Sequence, residues 1–185
     1  MPVPTDPGRR RARIALSDGA VALRVATSDD LPAVAEIYNL GIAERVATFE
    51  TEPRTAAALD GWASDGRPFV VAEYDGRVIG FARAGAYSDR CVYEGVAEHA
   101  VYVHPDGRGH GLGRRLLAEL CAESERHGLY KLTSRILIDI LPSRAAHRAA
   151  GFVEVGIQRR HGRLDGEWKD CVLVERLLGD AAAEP

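Results

Sequence analysis

Short runs of alternating apolar and polar residues divide this chain into strand-sized segments, and apolar residues recur at helical spacing between them. Alternation is the pattern of a strand with one buried face, whereas recurrence every three or four residues marks the buried stripe of a helix. The predicted strands cover 21–26, 69–74, 78–84, 99–103, 129–137, 152–163 and 168–177. This order of elements predicts an α+β domain built on a mixed sheet.

Four segments have helical spacing, and each carries a start or stop signal. The first helix follows a cap at Ser28 or Asp29, and the second starts at Thr55. The third ends at Gly128, and the fourth is the short alanine-rich run after Pro142.

Two turns predict antiparallel hairpins. Asp75-Gly76 separates two apolar strands and suits a type I′ turn, in which both central residues have positive φ. The residues 164–167 join the last two strands in the same manner.

The stretch from Glu98 to Gly113, EHAVYVHPDGRGHGLG, joins a predicted strand to the third helix through a glycine-rich turn. Such a turn aims several free backbone N–H groups at one point, at the positive end of the helix, and this favours anion binding. We expect the anion to be a pyrophosphate. A P-loop is excluded because no Gly-Lys-Ser/Thr follows the glycines, and a dinucleotide fold does not fit because a hairpin precedes them.

Composition indicates the class of protein. The chain has 185 residues, 46% hydrophobic and 28% charged, which is typical of one soluble domain. A net charge of -3 argues against a nucleic-acid binder with a broad basic face, and no apolar run approaches the ~20 residues of a membrane span. Cys91, Cys121 and Cys171 form no CxxC pair, so we expect a cytoplasmic protein.

The ends of the chain differ from the domain between them. Residues 1–20 contain prolines and an arginine cluster but no apolar segment of signal-peptide length, so a disordered tail is expected. Residues 21–178 form the predicted domain, and residues 179–185 are expected to fray.

Arg108, Gly111 and Gly113 match the pattern Arg/Gln-x-x-Gly-x-Gly/Ala, and the turn thereby resembles the acyl-CoA loop of the GNAT superfamily of N-acyltransferases. The resemblance extends from about residue 21 to about residue 178. It implies a twisted, largely antiparallel central sheet flanked by helices, with acetyl-CoA as the co-substrate. The residues that it assigns to acetyl-CoA are Val101, Tyr102, Val103, Arg108, Gly109, His110, Gly111, Leu112, Gly113, Arg114 and Ser143.

Four further stretches, 49–53, 90–98, 143–152 and 161–170, are similar to those of the phosphinothricin-type acetyltransferases, including enzymes for methionine sulfoximine and arsinothricin. The last stretch is closest to arsinothricin N-acetyltransferases. The resemblance implies acetylation of a small acidic amino-acid analogue, resistance by detoxification, and a homodimer, which is common in the family.

The chain departs from that family pattern before the fourth helix. Ile140 stands where the family has an Asn that helps seat the pantetheine arm, and Ala146 stands where the family has Leu. Asp139 is the neighbouring polar residue that could replace the Asn.

The resemblance also assigns the chemistry. An α-amine is mostly protonated near pH 7, so a carboxylate within reach is useful, and by resemblance Glu98 is the general base. Glu98 is expected at the mouth of its strand. His147 is the second catalytic group, which contacts the reacting centre or assists proton transfer. A backbone N–H near Val101 or Val103 is expected to polarise the thioester carbonyl.

A second anionic group on the substrate requires an arginine fork. The family match points to Arg90, with Arg83 on the hairpin strand as support, while Tyr93 and Phe49 are expected to wall the pocket.

Two other functions stay open from sequence. One is acetylation of a protein N-terminus or another amine, which predicts an open groove; the other is a non-catalytic acyl-CoA-binding domain, which predicts loss of Glu98. No metal is expected, because His99, His104 and His110 lack the i, i+4 pairing of a helical zinc site.

Overall fold

A computed structural model describes residues 21–183 of this protein, so the predicted tail, 1–20, and residues 184 and 185 lie outside the described range. Within that range one seven-stranded sheet has the order β1-β2-β3-β4-β5-β7-β6. Its strands are β1 Val21–Val25, β2 Phe69–Tyr74, β3 Arg77–Ala86, β4 Val96–Val103, β5 Lys131–Leu137, β6 Val153–Leu164 and β7 Glu167–Leu177.

Four α-helices lie between these strands in the described part of the chain. They are α1 Leu31–Glu44, α2 Asp60–Ser64, α3 Leu112–Arg126 and α4 Leu141–Ala149. The predicted α+β class, with a largely antiparallel sheet, is confirmed. Among residues 21–183 one strand pair is parallel, β4 with β5, and the candidate site lies beside it.

Each face of the sheet has its own core. Leu116, Leu117 and Leu120 of α3 are completely buried against one face, as their helical spacing predicted. Full burial of a leucine side chain contributes roughly 1.5–3 kcal/mol, so this stripe holds α3 firmly to the sheet. On the other face α1 packs over Phe81 and Tyr102, whose rings stack with centroids 5.1 Å apart.

The two hairpin turns have the predicted backbone. Asp75 and Gly76 have φ of 50° and 71°, and Asp165 and Gly166 have φ of 49° and 84°. Positive φ at both central residues is the type I′ geometry, which matches the right-handed twist of the flanking strands.

Three predicted boundaries are wrong, and the contacts at each one show where the element begins. The cap before α1 is neither Ser28 nor Asp29: Thr27 starts a short 3-10 turn, and the Asp30 carboxylate accepts the Thr27 N–H at 2.8 Å. Thr55 does accept the Ala58 N–H at 3.2 Å, but the helix proper, α2, begins at Asp60.

The third wrong boundary concerns Glu98. Strand β4 begins at Val96, so Glu98 is inside the strand and not at its mouth. The reason is pairing on both sides, because Glu98 lies opposite Gly85 of β3 and Thr133 of β5.

The parallel pair β4–β5 is short. Its register holds only from Val96 opposite Lys131 to Glu98 opposite Thr133, although both strands continue beyond that point. The two strands therefore separate from Glu98 onward, and the sheet opens between them.

Candidate active site

A cleft of about 860 Å³ opens where β4 and β5 separate. It is walled by the glycine-rich turn before α3, by α4, and by the segment 46–49 that follows α1. The residues of predicted cofactor contact that line it are Val101, Tyr102, Val103, Arg108, Gly109, Gly111, Leu112, Gly113, Arg114 and Ser143. His110 is absent from this wall.

The glycine-rich turn presents free backbone N–H groups to the cleft. Gly109 and Gly111 have φ of 83° and 71°, a conformation that other residues rarely adopt, and Gly111 is the residue before α3. The first N–H groups of the helix, at Leu112 and Gly113, have no acceptor within it, and no side chain of the described residues caps α3 there. The arrangement suits a phosphate group.

The Arg108 side chain braces the turn. Its Nε donates to the Val103 carbonyl oxygen at 3.0 Å, and one terminal nitrogen lies 2.7 Å from a carboxylate oxygen of Glu44. Because Glu44 already neutralises the guanidinium, Arg108 fixes the turn between β4 and α1.

Strand β4 offers backbone groups to the cleft beyond Glu98. The N–H of His104 donates to Ile79 of β3 at 2.9 Å, and backbone groups alternate in direction along a strand. The N–H groups of Val101 and Val103 therefore point away from β3, toward the side on which β5 has separated. These are the donors that the sequence predicted for a thioester carbonyl.

Glu98 is joined to the cleft by an ion pair. Its carboxylate pairs with the guanidinium of Arg135 on β5, and Arg135 lines the cleft although Glu98 does not. The Glu98 side chain remains 43% exposed, and Arg135 Nε also donates to Gln158 Oε1 at 3.1 Å. The carboxylate is thus held at the point of strand separation and stays accessible.

His147 and His99 form a buried pair across the α4–β4 contact. Their Nε2 atoms are 3.0 Å apart, and His147 Nδ1 lies 2.8 Å from the Ser143 carbonyl oxygen. Because a carbonyl can only accept, His147 Nδ1 carries a hydrogen and its Nε2 accepts from His99. His99 Nδ1 then carries no hydrogen, and among residues 21–183 no hydrogen bond meets the usual geometry at this buried atom.

Burial keeps both rings neutral. Loss of solvation lowers the pKa of His147. Loss of solvation, with the neighbouring His147 ring as a second cause, lowers the pKa of His99 to about 3.

The segment that covers the cleft is held from two sides. Tyr102 Oη donates to the Ala47 carbonyl oxygen at 3.2 Å, and burial raises the pKa of that phenol, so it stays protonated. A Cβ at Gly162, near the tip of the β6–β7 hairpin, would lie 2.7 Å from the Phe49 ring. Phe49 therefore lies directly against the hairpin backbone.

The other predicted substrate residues lie outside the cleft wall. Arg83 pairs with Asp65 and lies 5.1 Å from the centre of the Trp62 ring, and burial lowers the pKa of its guanidinium. Arg90 lies 5.5 Å from the centre of the Tyr93 ring, on the segment that precedes β4.

Three site features were missed from the sequence. Arg135 and Ser134 lie in a strand that reads as an ordinary alternating run, and His99 was weighed only as a metal ligand. The position of Arg135 beside Glu98 depends on the parallel β4–β5 pairing, which no local pattern reveals. Ile140 and Ala146, where the chain departs from the family pattern, line the cleft together with the neighbouring Asp139.

Within the described residues, 21–183, no group of three His, Cys, Asp or Glu side chains is placed to hold a metal ion. In the same part of the chain no helix has the length and apolar character needed to cross a membrane.

The chain is similar in sequence and in fold to proteins whose family is known. The acetyltransferase (GNAT) family model matches residues 34–152, so the chain belongs to the GNAT family. It is an acetyl-CoA-dependent N-acetyltransferase.

Individual relatives show which members of the GNAT family this chain is similar to. A phosphinothricin N-acetyltransferase of Alcaligenes faecalis is 35% identical over 178 residues, which cover 91% of this chain and 88% of that protein. An L-methionine sulfoximine/L-methionine sulfone acetyltransferase of Pseudomonas paraeruginosa is 30% identical, covering 90% of this chain and 99% of that one.

A solved structure gives the same fold. The phosphinothricin acetyltransferase of Sinorhizobium meliloti, in complex with acetyl-CoA, superposes with a TM-score of 0.82 at 34% identity. The match covers 90% of this chain and 93% of that one.

Proposed function

We propose that this enzyme transfers the acetyl group of acetyl-CoA to the α-amine of a small acidic amino-acid analogue of the phosphinothricin, methionine sulfoximine or arsinothricin type. Acetylation removes the charge of the amine, so such a reaction would detoxify the analogue and give resistance to it. The two relatives named for phosphinothricin and methionine sulfoximine support this substrate class.

One observation carries the proposal: Glu98 stands where β4 and β5 separate, on the strand whose far end leads into the glycine-rich turn. The same strand thus fixes a carboxylate beside one end of the cleft and a turn suited to an anion at the other end. The separation of the two ends is set by a rigid strand.

In the proposed reaction Glu98 takes a proton from the substrate ammonium, directly or through water. The freed amine attacks the thioester carbonyl carbon, so that a C–N bond forms and the C–S bond breaks. The N–H of Val101 or Val103 stabilises the negative charge on the carbonyl oxygen during this step. The nitrogen loses its second proton as the amide forms, and the departing sulfur takes up that proton, directly or through water, to become the CoA thiol, whose ordinary pKa is ~8.5. Glu98 then returns the ammonium proton to water.

The acetyl-CoA contacts follow the cleft wall. The N–H groups at the start of α3 and in the turn Gly109–Gly113 would hold the pyrophosphate, while Val101–Val103 and Ser143 would hold the pantetheine arm. Asp139 would take the place of the missing family Asn. His110 would take part only through the backbone of the turn.

For His147 the geometry favours contact with the reacting centre over proton transfer. Both of its ring nitrogens are engaged, one by Ser143 and one by His99, so it has no free lone pair to offer. It lines the cleft as a fixed neutral ring.

The second anion of the substrate would be bound at the rim. Arg83 lies opposite Ala100, a residue of the cleft wall, and is therefore on the same sheet face. Arg90 and Tyr93 lie on the segment that leads into β4, and Phe49 closes the opposite side. This cover disfavours a protein N-terminus as the acceptor.

We also propose a homodimer formed through the edge strand β6. That strand exposes Val153, Val155 and Ile157, each more than half accessible. An exposed apolar edge strand pairs readily with another strand, and a second copy of the chain would cover this one. The three free cysteines of the described chain fit a cytoplasmic location.

Release of the CoA thiol tests the proposed function. Phosphinothricin, methionine sulfoximine, arsinothricin, plain glutamate and peptides with a free N-terminus would be supplied with acetyl-CoA. We expect thiol release and an N-acetyl product with the analogues. Release with peptide amines alone would reject the proposal.

A further inference from the structure

We propose that Arg135 binds the α-carboxylate of the substrate, and that the Glu98–Arg135 ion pair is the receptor for the zwitterionic end of a free α-amino acid. This inference rests on the proposed function, because it names the part of the substrate that the same cleft recognises. It adds an arginine that is separate from the Arg90 and Arg83 proposed for the second anion.

The position of Arg135 is the first support. It lies two residues beyond Thr133, the last residue of β5 that pairs with β4, and its side chain lines the cleft. Its guanidinium meets the Glu98 carboxylate across the opening between the strands. Any amine that reaches Glu98 must therefore also come close to Arg135.

The second support is the set of donors that Arg135 keeps available. Nε donates to Gln158 Oε1 at 3.1 Å, which holds the plane of the guanidinium from β6, and Nη1 contacts Glu98. Among residues 21–183 Nη2 has no hydrogen-bond acceptor. Gln158 thus orients the guanidinium through Nε, while Nη2, and Nη1 once Glu98 pairs with the substrate ammonium, can receive a carboxylate.

The third support is charge complementarity. An α-amino acid carries an ammonium and a carboxylate on the same carbon, and the site carries a carboxylate and a guanidinium in contact. When the substrate binds, its ammonium can take Glu98 and its carboxylate can take Arg135. Each charge exchanges one partner for another, so none is left unpaired in the cleft.

The same exchange of ion-pair partners would make the site selective for free amino acids. A substrate with an amide or a hydrogen in place of the carboxylate would draw Glu98 away and leave the guanidinium unpaired, which is costly in a partly buried site. Arg135 would thus select free amino acids against peptide N-termini, whose first residue bears an amide at that position.

The test compares Arg135→Gln with the unmodified enzyme on three substrates: L-phosphinothricin, its α-carboxamide and its decarboxylated amine. We expect kcat/KM for phosphinothricin to fall at least about 30-fold, the loss typical of removing one partner from a charge pair that binding takes out of water. We expect kcat/KM for the carboxamide and the amine to change by no more than a few-fold. The preference for the free acid would therefore collapse.

Lys131→Gln is the matched control, because Lys131 is on the same strand and also pairs with a carboxylate, that of Glu175, outside the cleft wall. It should leave all three substrates unchanged. The melting temperature and the Kd for acetyl-CoA are measured for both variants. If Arg135→Gln does not fold, Arg135→Lys keeps the charge without the fork and should give a smaller loss, again confined to the free acid.

Equal losses on all three substrates would overturn the proposal, since Arg135 would then act only through Glu98. An unchanged preference would overturn it as well. If the unmodified enzyme acetylates none of these substrates, or peptide amines alone, the proposed function itself fails. That result is visible before any variant is made.

Discussion

At the scale of single residues, the site depends on a few side chains whose partners are fixed by the backbone. Glu98 is held by Arg135 and His147 by His99, and in both cases the partner comes from another strand or helix. The contacts determine which atoms are free to react.

Replacing Glu98 by Gln keeps the shape of the side chain and removes the base. We expect kcat/KM for the amine substrate to fall about 10²–10⁴-fold, the usual contribution of a positioned base, while the Kd for acetyl-CoA stays unchanged. Glu94→Gln, an exposed carboxylate of the preceding segment, is the control. Undiminished acetyl transfer from about pH 6 to about pH 9 would reject Glu98 as the base.

The buried histidine pair predicts a pH dependence of stability. The folded-state pKa of His99 is about 3, below the ordinary ~6.5, so as the pH falls from ~6.5 toward ~3 the unfolded chain binds a proton that the folded chain does not. The contribution of the neutral His99 ring to the free energy of unfolding should therefore be fully present above pH ~6.5 and be lost on acidification. His147, whose pKa is also lowered, acts in the same direction.

His99→Gln tests this, because its amide can still donate to His147 Nε2 and cannot titrate. Urea titrations at several pH values give the free energy of unfolding. On acidification we expect this free energy to fall less steeply in the variant than in the unmodified protein, by up to about 1.4 kcal/mol per pH unit. The ring is packed against His147 and Phe152, so a uniform loss at every pH would indicate a packing change. A pH slope equal to that of the unmodified protein would contradict the neutral pair.

At the scale of elements, the cover of the cleft depends on close packing of the β6–β7 hairpin against Phe49. The contact is possible because Gly162 has no side chain. A second link, Arg45 to Asp165 at 2.9 Å, ties the end of α1 to the hairpin turn. The hairpin thus positions the segment proposed to contact the substrate.

Gly162→Ala should displace Phe49, because the new methyl group would lie 2.7 Å from the ring. We expect KM for the amino-acid substrate to rise roughly 10-fold, since small displacements of positioning groups are costly, with KM for acetyl-CoA unchanged. Gly156→Ala on the same strand has open space around it and is the control. If the two variants behave alike, the hairpin does not position Phe49.

The sequence predicted most elements because their signals are local. The stripe of Leu116, Leu117 and Leu120 and the turn at Asp75-Gly76 each specify their structure within a few residues. The assignment of Glu98 and the glycine-rich turn to the two ends of one stretch also comes from local sequence, and the roles of both stay a prediction. The Glu98–Arg135 and His99–His147 contacts join residues 37 and 48 positions apart, so they emerge only when the strands are assembled.

At the scale of the whole molecule, the sheet ends in two different edges. On one side β1 is short, whereas on the other β6 is twelve residues long and exposes large apolar side chains. The proposed dimer covers the second edge. In one molecule, these side chains would remain in water.

Ile157→Lys should weaken that dimer, because a charge placed in an apolar contact loses solvation. We expect the molar mass from light scattering to fall from that of two chains to that of one. Val25→Lys, an exposed apolar position on the opposite edge strand, should leave the mass unchanged. A mass of one chain for the unmodified protein would reject the dimer.

The most direct test of the whole account is acetyl transfer by the unmodified enzyme and by Glu98→Gln, followed by thiol release and by mass spectrometry of the product. The account predicts N-acetylation of the small acidic amino-acid analogue, with activity reduced at least about 10²-fold in the variant although acetyl-CoA still binds. Acetylation of peptide amines alone, or a variant as active as the unmodified enzyme, would contradict it.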